Sequence, residues 1–137
     1  MITGVSNKPM PYVPESERTA TEMQTVVWIK AKTAADSNRM LAEYAGAGRD
    51  GRKGYRDLNT RKLDNADINQ FLAVVAKWEW YQFSDRFPEL AKQGPLESVT
   101  DEATLTKICM DISSDLLIEI FEASNDISQL TTGQKKD

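Results

Sequence analysis

The chain has 137 residues, a formal net charge of −4, one cysteine and no histidine, which suits one domain with a single modest core and leaves no room for a buried two-domain cleft. Without histidine the usual zinc, haem and facial-triad ligand sets are missing, as are the commonest general base and the Ser-His and Cys-His nucleophile pairs. No apolar run approaches the roughly 20 residues of a membrane span, and the N-terminus lacks the basic flank and apolar stretch of a signal peptide, so the sequence predicts a protein that stays in the cytosol of the cell that makes it.

Residues 1–22 carry Pro9, Pro11 and Pro14 among Ser, Thr and charged residues. That is too little apolar surface to offset the entropy of ordering, and it predicts a flexible arm whose anchoring residues would be Met10, Tyr12 and Val13. Thr25 to Lys32 is rich in β-branched and aromatic residues and reads as a short strand, with Val26 and Trp28 on one face and Val27, Ile29 and Ala31 on the other. A lone strand is not stable, so it needs a partner from the arm or from another subunit, unless it is the first turn of a helix. Thr33 then opens a helix with Asp36 in the capping-box position, Met40, Leu41 and Tyr44 follow, and Gly46 is expected to end it.

Residues 46–62 mark the strongest shift in composition. Arg49, Arg52, Lys53, Arg56, Arg61 and Lys62 stand against Asp50 and Asp57, a net of +4 that leaves −8 for the rest of the chain. With Gly46, Gly48, Gly51 and Gly54 the segment predicts a mobile basic loop on an acidic body. Gly46-Ala47-Gly48-Arg49-Asp50-Gly51 spells G-x-G-x-x-G. It follows a helix rather than a buried strand and lacks the Gly-Lys-Ser/Thr of a P-loop, so no nucleotide site is predicted. Arg49, Arg52, Lys53 and Arg56 are candidates for contact with an acidic protein surface, the plain alternative being a solvated loop. The net charge of −4 and a pI near 4.9 disfavour nucleic acid as partner.

Asp64 or Asn65 opens the most hydrophobic segment, expected as a central helix from about Ala66 to Gln82 with Ile68, Phe71, Leu72, Val74, Val75, Trp78 and Tyr81 on nearly all faces. At helical spacing Trp78 and Tyr81 share the core face. Trp80, Phe83 and Phe87 are aromatic candidates for anchoring a partner, a place in the core being the favoured alternative. Pro88, Gly94 and Pro95 interrupt the pattern before Ser98 to Leu130, a capped acidic helical tract. Its first part begins at Thr100 and turns Leu105, Ile108, Cys109 and Ile112 inward. Its second begins at Ser113 or Ser114, ends near 128, and carries Leu116, Leu117, Ile120, Phe121 and Ile127 as one stripe; the two parts are either separate or fused. Cys109 reads as a core thiol, and Asp115, Glu119, Glu122 and Asp126 as a solvent face rather than a catalytic carboxylate pair.

These elements predict a mainly α fold: a small helical domain of about four helices over 23–130, with a possible short N-terminal strand or hairpin and a flexible tail at 131–137. No catalytic residue, cofactor or metal is predicted. The stripe beginning at Leu116 should close the core against the central helix.

The order of features carries a resemblance. A Val-rich strand leads into Thr33-Ala34-Ala35-x-x-x-Arg39-Met40, then come a charged linker, a central segment ending in Trp, Pro95-x-x-x-x-Thr100-x-Glu102, and Leu117-x-Glu119-Ile120-Phe121-x-Ala123-x-x-x-Ile127-Ser128. Over residues 24 to 130 this resembles the tail assembly chaperones of long-tailed, siphovirus-like bacteriophages. The resemblance implies a mostly helical, non-enzymatic protein of the host cytoplasm. Such a protein binds the tape-measure protein, keeps its long helices from aggregating, helps recruit tail-tube subunits, and is absent from the finished particle. The alternative is a structural tail or neck component of the virion. An unpaired strand at 25–32 and an exposed apolar face would also permit a homo-oligomer.

Overall fold

In a computed structural model the chain is described over residues 8–19, 24–50 and 54–134. Its elements in order are β1 (Met10–Tyr12), a 3-10 turn (Glu15–Glu17), β2 (Val26–Ile29), α1 (Ala34–Gly46), α2 (Asn65–Val74), β3 (Val75–Tyr81), α3 (Pro88–Ala91), β4 (Leu96–Val99), α4 (Glu102–Asp111) and α5 (Ser114–Gln134). The strands form one antiparallel sheet in the order β1-β2-β3-β4. The mainly α expectation is therefore wrong: this is an α/β fold in which a four-stranded antiparallel sheet and the helices share one core. Val27, Ile29, Val75, Trp78 and Val99 of the sheet are buried with Phe71 of α2, Leu105 and Ile108 of α4, and Leu117, Ile120 and Phe121 of α5.

The error has two parts: Leu96–Val99, whose Ser98 and Val99 were expected in the helical tract, forms strand β4, and the larger part lies at β3. The helix expected across Ala66–Gln82 ends at Val74, and with no intervening loop Val75–Tyr81 becomes a strand. Val75 is already extended at φ −100 and ψ 116, while its amide still donates to Phe71 O. The residues past this point are VAKWEWY, a β-branched and aromatic run that prefers a pleated surface. Once β2 and β4 pair on its two edges, that preference wins over a helical period that persists only in the apolar spacing. The Lys30 amide donates to Val74 O at 2.7 Å, fixing the switch point against the end of β2.

Elsewhere local chemistry sets the boundaries. Thr33 and Asp36 form the expected capping box of α1, and Asp64 and Asp67 form a second at the start of α2. Gly46 is the last residue of α1, as expected, and Gly48, at φ 81, makes the turn that follows. Asp101, not Thr100, caps α4 by accepting from the Thr104 amide at 2.9 Å. The extended Ile112 separates α4 from α5, where Ser113 Oγ accepts from the Leu116 amide at 3.2 Å. Cys109 is buried in the core, and burial, reinforced by the charge of Asp67, pushes its thiol pKa up.

Two segments expected to be mobile take part in the packing. Within the N-terminal arm, β1 supplies the partner that β2 required, and Tyr12 hydroxyl donates to Glu119 Oε2 at 2.5 Å while the Glu15 amide donates to the same oxygen at 3.0 Å. Glu119, expected on a solvent face, thus ties the arm to α5. In the basic loop, Tyr55 and Leu58 are core residues, with the Tyr55 ring edge-on to Phe121 at 5.1 Å. Arg61 grips the fully buried Asp67 with two bonds of 2.7 Å, and also bonds Asp57 at 2.6 Å and the carbonyl of Gly54. Asp67 further accepts from the Tyr44 hydroxyl at 2.9 Å and the Asp64 amide at 3.0 Å. Gly54 passes so close to Tyr44 that a Cβ there would lie 2.7 Å from the tyrosine Cβ.

Removing Asp67 leaves Arg61 and Tyr44 without their acceptor in a buried site. Asp67→Ala is therefore expected to lower the unfolding free energy by about 3–5 kcal/mol. Asp57→Ala, whose carboxylate is 51% exposed, should cost under about 1 kcal/mol. Urea titration of both variants checks the ordering, and equal losses would contradict it.

Candidate functional site

A ladder of aromatic rings leaves the core along β3 and the segment after it. Trp78 is fully buried and lies 6.2 Å from Phe71; Tyr81 stands edge-on to Trp78 at 5.5 Å, Phe83 to Tyr81 at 4.9 Å, and Phe87 to Phe83 at 5.7 Å. In a regular strand residues three apart face opposite sides, so Trp78 and Tyr81 should not touch. They do because Trp80 sits at φ 62, the only positive φ outside glycine among the described residues. That backbone turn returns Tyr81 to Trp78 and throws the Trp80 ring outward, 37% exposed. The grouping expected from a helix thus survives for a different reason. An aromatic residue in the left-handed region costs on the order of 1–3 kcal/mol and persists only where its surroundings enforce it.

The surroundings here are tightly bonded. Tyr81 hydroxyl donates to Asp111 Oδ2 at 2.6 Å, the Ser84 amide donates to the same oxygen at 2.9 Å, and Ser84 Oγ donates to Oδ1. Burial alone would raise the Asp111 pKa, but the hydrogen bonds from Ser84 and Tyr81 outweigh it and hold the carboxyl below its ordinary range. Glu17 accepts from both the amide and the hydroxyl of Thr25 at 3.0 Å. Between these braces Trp80 borders a cleft of about 360 Å³ with Glu17, Thr25, Tyr81, Gln82 and Pro95.

The expected partner-binding residues are divided by the structure. Trp80 is an open aromatic, whereas Phe83 is 8% exposed and Phe87 half-buried, so these two belong to the inward ladder. Arg49 is turned inward: its guanidinium bonds Asp64 at 2.8 Å and lies 5.0 Å over the Tyr44 ring. Arg56 is exposed. Arg52 and Lys53 lie outside the described residues. Arg61, counted in the loop's charge but not singled out, bonds Asp57, Asp67 and the Gly54 carbonyl.

A second cleft, of about 520 Å³, was not foreseen. It is lined by Lys32, Ser37, Met40, Tyr55, Arg56, Glu122, Asn125 and Asp126. Lys32 is 7% exposed, with Nζ 3.4 Å from Met40 Sδ and 5.8 Å from the centre of the Tyr55 ring. Burial pushes its pKa down to about 8, against the opposing pull of Asp36. Nothing in the strand's alternation marked Lys32, because it lies beyond the paired residues, at the junction with the Thr33 cap.

Among the described residues no group of three or more His, Cys, Asp or Glu is placed to hold a metal ion, and no helix is long and apolar enough to cross a membrane. No protein-family model, curated protein or solved structure matches the sequence.

Two measurements check this geometry. At φ 62 glycine is unstrained and alanine is not, so Trp80→Gly should be more stable than Trp80→Ala by about 1 kcal/mol, the reverse of the usual order in a strand; chemical denaturation of the pair reads the sign. Asp111 has a folded pKa below its unfolded value. Its contribution is therefore fully present above the unfolded pKa of about 4 and is lost as pH falls through the folded one. Asp111→Asn should accordingly flatten the loss of thermal stability below pH 4 and lower stability at pH 7.

Proposed function

We propose that this chain is a non-enzymatic assembly chaperone of a long phage tail, acting in the host cytoplasm, where it binds the tape-measure protein and helps recruit tail-tube subunits. The mostly helical architecture that went with the resemblance is not the one this chain adopts, and the proposal rests on the surface. The observation that carries it is Trp80: a large aromatic side chain, 37% exposed and in a strained backbone conformation, in the chain segment that also forms the Tyr81, Phe83 and Phe87 ladder. A pre-organised exposed tryptophan beside a cleft fits the anchor of a protein interface, where a few aromatic residues supply most of the binding energy. The carboxylates near the ladder also favour binding over catalysis, since Glu17 and Asp111 are occupied by internal hydrogen bonds.

Co-expression with a tape-measure protein tests the reading. The chain should keep that protein in the soluble fraction, and Trp80→Ala, with an unchanged circular dichroism spectrum, should weaken the complex by about 2 kcal/mol or more, some thirtyfold in Kd. An unaltered solubility of the tape-measure protein would overturn the proposal. So would stoichiometric recovery of the chain from purified virions, the result expected of a structural tail or neck component.

A further inference from the structure

Helix α1 is held to the domain by little of its own surface. Tyr44 is its only buried side chain and Met40 packs half-buried against the core, while Ala35, Asn38, Arg39, Leu41, Ala42 and Ala45 are exposed. Leu41, a large apolar side chain, is 37% exposed. At 3.6 residues per turn Asn38, Ala42 and Ala45 run down the middle of this open face, Leu41 lies on one flank, and Arg39 and Glu43, four residues apart, lie on the other. The middle of the face carries no charge.

We propose that this face binds a second copy of the chain, the two α1 helices packing antiparallel about a two-fold axis at Leu41. Such an axis sets each residue after Leu41 opposite the residue equally far before it in the other copy. Arg39 of each copy then faces Glu43 of the other, and Asp36, the remaining charged residue of the helix, faces Gly46. No like charges meet. A parallel pair in register would set Arg39 against Arg39 and Glu43 against Glu43, so the charge pattern selects the antiparallel arrangement. Ala42 and Ala45 let the two helix axes approach to about 8 Å, and on the other flank Leu41 meets its own copy.

The bonds already present on this face leave its charges available. Arg39 reaches Asp36 at 3.2 Å as a surface pair, a kind that holds weakly. Glu43 accepts from Asn69 at 3.3 Å, which leaves acceptor capacity on the carboxylate. The strand expected to seek a partner in another subunit offers no edge for one, because β1 and β3 pair along both sides of β2. A helix of 13 residues is about 20 Å long, too short to build the roughly 1,200 Å² of a stable interface. The dimer is accordingly weak, with a Kd of roughly 10–500 µM. No residue of α1 lines the Trp80 cleft, and the test of this surface does not depend on the chaperone reading.

Sedimentation equilibrium of the full chain reads the association. Leu41→Glu, a change at an exposed position that puts two like charges at the axis, should weaken the dimer at least about tenfold with an unchanged circular dichroism spectrum. Arg39→Glu and Glu43→Arg should each self-associate at least about tenfold more weakly than the unaltered chain, since each sets like charges face to face. An equimolar mixture of these two variants should associate about as tightly as the unaltered chain, because in the mixed dimer both facing pairs are again of opposite sign. A chain that stays monomeric at about 1 mM, or a dimer as tight with Leu41→Glu as without it, overturns the proposal. A mixture that associates no more tightly than either variant by itself overturns the antiparallel pairing.

Discussion

The fold depends on one buried carboxylate. Asp67 lies at the start of α2 with no exposed surface, and a carboxylate in that position is tolerated only if its oxygens are satisfied. Arg61 supplies a two-pronged guanidinium, Tyr44 a hydroxyl and the Asp64 backbone an amide, so the arrangement joins α1, the loop before α2 and the cap of α2 itself. The consequences spread outward. The hydrogen bonds Arg61 donates to Asp67 hold the guanidinium charged, and burial together with the Asp67 charge suppresses ionisation of Tyr44. Arg61 also takes the Gly54 carbonyl, bringing the chain onto the Tyr44 ring so closely that only glycine fits. With that turn fixed, Tyr55 and Leu58 enter the core, and Tyr55 meets both Phe121 and Asn125 of α5.

The placement of α2 then determines the sheet. Because α2 runs into β3 without a loop, its orientation dictates where β3 lies, and β2 and β4 pair on the two edges of that strand. Trp78 enters the core, and the single departure from strand geometry, at Trp80, lets Tyr81 follow it while the Trp80 ring points away. Energy that a regular strand would retain is spent on presenting one aromatic side chain. Strain of that kind at a surface is a reason to look for a partner there.

Much of this was legible in the residues. The Thr33 cap, the β2 strand with Val27 and Ile29 on one face, and the Leu117-Ile120-Phe121 part of the stripe were all read correctly, because local patterns set each of them. The sheet was missed at β3, where the apolar spacing of Ile68 to Tyr81 fits a helix and only pairing with β2 and β4 decides otherwise. Charge counting misled for the loop. Arg49 and Arg61 looked like a solvated basic surface but are bound by Asp64 and Asp67, two aspartates on the far side of a turn. Among the candidate aromatic residues, a core role was the favoured reading; it holds for Phe83 and not for Trp80, since no periodicity anticipates the positive φ at Trp80. Lys32 carried no signal, as its burial comes from Met40 and Tyr55 closing over it from two other segments.

The outward Trp80 and its cleft are the proposed partner surface. Hydrogen–deuterium exchange of the chain, free and in complex with tape-measure protein, tests it most directly. The account predicts added protection at residues 79–83 and 95–97, flanking the cleft, with little change along α1. Protection confined to α1 and the Arg56 region, with residues 79–83 exchanging as in the free protein, would contradict it.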